Sequence, residues 1–168
     1  GWTISNRVHS QALAAMSPDP SLKKGSPVLQ FTVMLESRVG ALNGVVKLIQ
    51  ECHAEVLGVK LAESSDVTLA RIVVTDPDIV MQQFLERGIP HCMLEIVVVE
   101  LKDGVSSLPG CLSVLLQAET NIHSFYSLLV RSDRDHPLVA FHLEDTEFAV
   151  SLLEKQGFKI LCQEDLSR

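Results

Sequence analysis

Among side chains able to do chemistry, the histidines and cysteines are tested most directly by spacing. The six histidines, His9, His53, His91, His123, His136 and His142, show no His-x-His or His-Glu-x-x-His pattern, so no metal site is predicted. Cys52, Cys92, Cys111 and Cys162 are too far apart for a Cys-x-x-Cys redox pair or a zinc knuckle. They read as reduced, half-buried thiols. No serine or cysteine has a recognisable base and orienting partner, so no nucleophilic triad can be assembled. What remains is backbone chemistry. Residues 36–42 and 103–108 each lead into an apolar pattern of helical spacing. A helix N-terminus presents open N–H groups and the positive end of the macrodipole, which suits an anion. Gly40 and Ala41 would supply such groups in the first segment, and Ser106 and Ser107 in the second. Gly40 lacks a Cβ and permits close approach, and Arg38 is placed to clamp a carboxylate with two parallel hydrogen bonds.

Those segments need strands and helices to hold them. Residues 28–35 alternate, with Leu29, Phe31, Val33 and Leu35 on one face, which predicts a strand. Leu42, Val45, Val46 and Ile49 follow at helical spacing over 40–53. Strands are predicted over 55–63 and 67–74, joined by Ser64-Ser65-Asp66. Asp76-Pro77 opens a second helix, and Arg87-Gly88 closes it. Residues 91–101 are extended and must hold both the last strand of one unit and the first of the next. A very short edge strand at 90–93 followed by a strand at 95–101 meets that requirement. A helix over 106–119, strands over 122–130 and 137–143, a helix over 145–156 and a strand over 158–162 complete the pattern. Ile96-Val97-Val98-Val99, apolar on both faces, reads as a central or interface strand. Ahead of all this lie a short helix over 5–16, the stop Ser17-Pro18-Asp19-Pro20 and a linker.

The order β-α-β-β-α-β therefore occurs twice. An offset of 66 residues sets Leu35 on Leu101, Ser37 on Asp103, Leu42 on Leu108, Ile49 on Leu115 and Val56 on Ile122. An offset of 69 sets Asp76 on Asp145 and Gly88 on Gly157. The change of three falls in the hairpin at 131–136, a surface turn where insertion is tolerated.

The duplicated plan resembles a tandem pair of ACT domains. The signature of that family is a strand, a loop close to Asp-x-Pro-Gly-x-Leu and an Asn-Ile that starts the second strand. Its counterparts here are Ser37-Arg38-Val39-Gly40-Ala41-Leu42 with Glu55-Val56, and Asp103-Gly104-Val105-Ser106-Ser107-Leu108 with Asn121-Ile122. Ser37 and Val39 replace the Asp and Pro of the first loop, and Val105-Ser106 the Pro-Gly of the second. A literal Pro-Gly-x-Leu at Pro109 is a decoy, because only the ungapped offset keeps both helices equal, and Pro is allowed in a first helical turn. The resemblance implies two ferredoxin-like α+β modules, each an antiparallel sheet with helices on one face, at 28–94 and 95–168 after an arm at 1–27. It further implies a non-catalytic regulatory protein without a cofactor, binding a free amino acid at the loops and the module interface. Asp103 and the Asn121 amide carbonyl would hold the ammonium, with Glu36, Ser37 and Glu55 as first-half substitutes. A homodimer and a regulated enzyme are the implied partners. Two rivals stand beside this reading: an assembly module without ligand, and an acylphosphatase-type enzyme gripping phosphate with Arg38. Gly104 at the twin position opposes the latter.

Composition fits the resemblance. Fourteen Lys and Arg against 21 Asp and Glu leave a net charge of −7, which excludes a nucleic-acid footprint. With 46% apolar residues the chain can bury a core, and no apolar run approaches the roughly 18 residues that span a bilayer. A cytoplasmic location is expected, since His9, Ser10 and Gln11 interrupt any signal-peptide core.

Overall fold

The computed structural model describes residues 25–36, 39–64 and 66–167. The predicted arm helix, Ser37 and Arg38 lie outside the described residues. Strand β1 (Val28–Glu36), helix α1 (Ala41–Glu51), strands β2 (Val56–Glu63) and β3 (Val67–Val74), helix α2 (Pro77–Glu86) and strand β4 (His91–Glu100) form the first unit. A 3-10 turn (Gly104–Ser107), helix α3 (Leu108–Gln117), strands β5 (Ile122–Arg131) and β6 (Pro137–Leu143), helix α4 (Thr146–Lys155) and strand β7 (Lys159–Leu161) follow, and the short helix α5 (Gln163–Leu166) closes the chain. Antiparallel pairing runs β2-β3-β1-β4-β6-β5, with β7 also against β4.

The predicted break inside 91–101 does not occur. β4 is one strand whose first part pairs with β1, from Val33 opposite His91 to Val28 opposite Ile96. Its second part pairs with β6, from Val97 opposite Phe141 to Glu100 opposite Leu138, and Val98–Glu100 also pair with β7. A β-branched run favours this extended, fully covered state. Alternation then does the sorting. Odd residues face the helices: His91 lies against Phe31 and Phe84, Met93 packs on the first core, and Val97 and Val99 belong to the second. Even residues Ile96 and Val98 enter a third core between the two sheets.

Each unit covers one sheet face with its own helices. Val45, Leu48, Ile49, Val80 and Phe84 pack onto Phe31, Val33 and Ile72, and Cys111, Leu115, Ala149 and Leu153 onto Val99 and Phe141. The uncovered faces meet as a seam in which Val28, Leu57 and Val73 pack with Tyr126, Leu128, Leu138 and Ala140. β2 and β5 run in opposite directions across it: Gly58 abuts Leu128 and Tyr126, and Lys60 Nζ donates to the Phe125 carbonyl at 2.9 Å. A fully buried amide in the seam, Gln30, accepts a 2.7 Å bond from the Tyr126 hydroxyl. Helix α5 fastens the seam, since Gln163 takes the Leu29 N–H on Oε1 and donates from Nε2 to the Val74 carbonyl at 3.1 Å.

Two expectations follow. A Cβ on Gly58 would lie 2.6 Å from Leu128 Cδ2, so Gly58→Ala costs about 1–2 kcal/mol of overpacking. Leu128→Ala alone costs about 3 kcal/mol, and the double variant costs less than the sum, because the clash goes with the side chain; additive values in urea unfolding would contradict this packing. The Glu164 carboxylate accepts the Ser26 N–H at 2.9 Å; hydrogen bonding to the Ser26 side chain first, with this N–H among the smaller causes, holds its pKa down from 4.5 to about 2. A depressed folded pKa adds stability above the ordinary value that is lost as pH falls through the folded one. Stability of the wild type should therefore decline between about pH 4.5 and 2, and Glu164→Gln should flatten that limb in acid-unfolding curves.

Candidate functional site

The first loop leaves β1 at Glu36 and enters α1 through Gly40, whose φ of 90° lies in the left-handed region that glycine tolerates. Among the described residues, and its two chain neighbours aside, nothing lies within 4 Å of the place a Gly40 Cβ would take, and Gly40 is exposed. Ala41 and Leu42 are half-buried against the first core and anchor the helix instead of presenting side chains. Val39 is exposed at the loop tip, and Val105 is exposed at the equivalent place 66 residues later.

The second loop differs. The sequence predicts a helix beginning at Ser106, but the structure inserts the 3-10 turn and begins α3 at Leu108, with Pro109 in its first turn. Leu101 is buried in the second core and fixes where the loop starts. The Asp103 N–H donates to Ser107 Oγ at 3.0 Å, which closes the loop on itself. Between this loop and the turn after α4 lies a cavity of about 250 Å³, lined among others by Glu100, Lys102, Asp103, Ser106, Ser107 and Phe158. It carries both signs of charge, two hydroxyls and one aromatic wall.

Glu100 and Lys102 escaped the sequence reading. Glu100 is 1% exposed; its Oε1 accepts from Ser132 Oγ and lies against His136 Nδ1, while Oε2 has no hydrogen-bond partner. The available signal was a lone acid ending the Ile96–Val99 run on the face that alternation assigns to the seam. Both other partners sit in the β5–β6 hairpin, so the carboxylate ties that hairpin to the end of β4.

The predicted partners of the loops are elsewhere. Along β6, Glu100 pairs with Leu138 and Ile122 with Leu143, which separates Asp103 from Asn121 by about 17 Å of strand. Glu36 opposite Val67 and Val56 opposite Val74 separate the first loop from Glu55 by about 23 Å. The reason is topological: the crossover helix returns the chain to the start of the sheet, so a second parallel strand begins far from where the first ends. Asn121 Nδ2 donates to Glu144 at 2.7 Å, and the Glu55 N–H donates to Thr75 Oγ1 at 2.9 Å, so both clip strand ends together. Because β2 and β5 cross the seam head to tail, Glu55-Val56 share an end of the molecule with the second loop. Asn121-Ile122 share the other end with the first loop.

Among the described residues, no group of three His, Cys, Asp or Glu is arranged to hold a metal ion. Burial pushes the Cys111 thiol up to about 11, which keeps it protonated and inert near neutrality. No helix among the described residues is long and apolar enough to cross a membrane.

A family model described as an ACT domain pair matches residues 26–168. No match exists among curated proteins. Among solved structures the chain is similar to protein BT0572 from Bacteroides thetaiotaomicron, with 18% identity, a TM-score of 0.75, and 84% of this chain and 96% of that one covered. It is also similar to the regulatory subunit of aspartate kinase from Thermus thermophilus in a ligand-free form, with 13% identity, a TM-score of 0.55, and coverage of 80% and 95%. At these identities the likeness is one of fold.

Removing the hydrogen-bond partner of a buried carboxyl group leaves that group unsatisfied. His136→Ala is therefore expected to cost about 1–3 kcal/mol in urea unfolding, and Glu100→Gln in that background to restore part of the loss. A cost under about 0.5 kcal/mol, the usual range for surface changes, would contradict this arrangement.

Proposed function

Because the chain belongs to the ACT domain pair family, we propose that it is a non-catalytic regulatory protein that binds a free amino acid at the second loop. The observation that carries this reading is the two-signed cavity beside the second loop, lined by Lys102, Asp103 and Glu100. A zwitterion presents a carboxylate and an ammonium on one carbon. Lys102 suits the carboxylate, Asp103 and Glu100 suit the ammonium, and Ser106 and Ser107 add adaptable hydroxyl contacts. Phe158 supplies an apolar wall for a side chain. The second loop is favoured over the first because a cavity with charged walls adjoins it.

The readout follows from position. Glu100 lines the cavity and holds the β5–β6 hairpin, and its strand carries both sheets, so a ligand beside it acts on packing as well as on the loop. The aspartate kinase regulatory subunit is named for an enzyme it regulates; an enzyme partner or a second copy of this chain is the corresponding receiver here. Such a coupling requires that the ligand bind the two packing states unequally.

A thermal-shift screen against the twenty amino acids tests the proposal. A ligand present at a hundred times its dissociation constant adds about 2.7 kcal/mol of stability. Lys102→Met and Asp103→Asn should abolish the shift for that amino acid, and Gly40→Ala should leave it. If no amino acid stabilises the protein, the binding claim fails and the assembly reading stands. If Gly40→Ala alone abolishes the shift, the ligand belongs to the first loop.

A further inference from the structure

The seam contains the same backbone device twice. In β2 the register slips by one residue between Val56 and Gly58, opposite Val74 and Val73. In β5 it slips between Ile122 and Ser124, opposite Leu143 and His142. The two bulges coincide at the offset of 66 residues. A bulge of this kind turns two neighbouring side chains toward one partner and is common beside functional sites.

What the bulges carry is opposite in character. The first holds Leu57 and Gly58 against Val73, and the facing sheet brings Tyr126 and Ala140; this end of the seam is lined by apolar side chains. The second holds His123 and Ser124 against His142, with ring centroids of the two histidines 4.9 Å apart. At the places corresponding to Tyr126 and Ala140, the facing sheet brings Lys60 and Arg71. Lys60 Nζ reaches the Phe125 carbonyl, next to Ser124. Two imidazoles, an ammonium and a guanidinium thus gather in a chain whose net charge is −7.

This polar end is unfinished. Ser124 is 5% exposed, yet its hydroxyl has no hydrogen-bond partner. A buried hydroxyl without a partner costs about 1–3 kcal/mol, so its retention points to a group that completes it. Burial, His123 and Arg71 all hold the His142 pKa below its ordinary value, so the electrostatic causes acting on it are both cationic. The first carboxylate along the chain from His142, Glu144, is engaged by Asn121.

We propose that the polar end of the seam is an oxyanion site, in which Ser124, His142, Arg71 and Lys60 receive a carboxylate or phosphate group from solvent. The hydroxyl donates one bond, the guanidinium a bidentate pair, and the Lys60 ammonium keeps donors beyond the one spent on Phe125. His142 joins as a donor when protonated, and His123 closes the rim. The site is separate from the second-loop cavity, and it stands or falls independently of amino-acid binding there.

The test is ring-proton NMR of the histidines in the full chain, titrated with sodium phosphate and separately with sodium acetate at constant ionic strength set by chloride. His123→Gln and His142→Gln assign the signals. Saturable shifts confined to His123 and His142, with the His142 midpoint moving to higher pH, are expected. Arg71→Met should weaken binding by about a hundredfold, the loss of the guanidinium's pair of charge-assisted bonds, and Ser124→Ala should weaken it several-fold. If Arg71→Met fails to fold, Ser124→Ala and Lys60→Met decide the matter by the same measurement. A response to phosphate alone identifies a phosphoryl group, and a response to acetate alone a carboxylate. No saturable shift with either anion overturns the proposal, as does a wild-type response in the folded variants.

Discussion

The structure rests on a single strand that serves two sheets. β4 keeps one alternation along its whole length, so its odd side faces helices in both units and its even side faces the seam. Neither unit can shift its register without turning the apolar residues of the other outward. A unit of about 70 residues buries little core by itself. Sharing β4 gives each unit a second apolar face, because Ile96 and Val98 draw Val28, Leu57 and Val73 from one sheet against Leu138, Ala140 and Leu161 from the other. The buried Gln30–Tyr126 bond then fixes how the sheets sit, since a displaced seam would leave a buried amide oxygen unpaired.

Duplication sets the plan of this molecule, and departures from duplication give it distinct ends. The paired bulges in β2 and β5 show this well. Equivalent backbone carries Leu57, Gly58 and Val73 at one end and His123, Ser124 and His142 at the other. The loops diverge in the same manner: the first enters its helix directly through Gly40, and the second passes through a 3-10 turn that builds a charged wall. A symmetric pair would offer two equal sites. In this chain the two ends of the seam differ, one apolar and one polar.

Much of this was legible in the residues. Alternation over β1 and helical spacing over α1 are local signals, and the offsets of 66 and 69 converted one half's reading into the other's. The run Ile96–Val99 correctly marked a strand covered on both faces. The unbroken course of β4 was not legible, because pairing changes partner at Val97 without any turn residue in the sequence to mark it. The site was harder still. Motif matching grouped Asp103 with Asn121 and the first loop with Glu55, yet spacing along a chain says nothing about which end of a sheet a residue occupies. Glu100 looked like an ordinary strand end, and only its burial beside His136 reveals its place.

Position also explains why a buried acid is retained at the end of the shared strand. An apolar residue there would be cheaper, since a buried charge needs compensation that a methyl group does not. Glu100 instead binds the hairpin through Ser132 and His136 and keeps one oxygen without a partner. On the proposed reading, a ligand in the adjoining cavity would sit beside the strand end that carries this carboxylate. Loosening of the hairpin would then accompany binding, and the hairpin joins β5 and β6, which form half the seam. On that reading a change at one side chain would reach the packing of two sheets, because the strand that carries the carboxylate belongs to both.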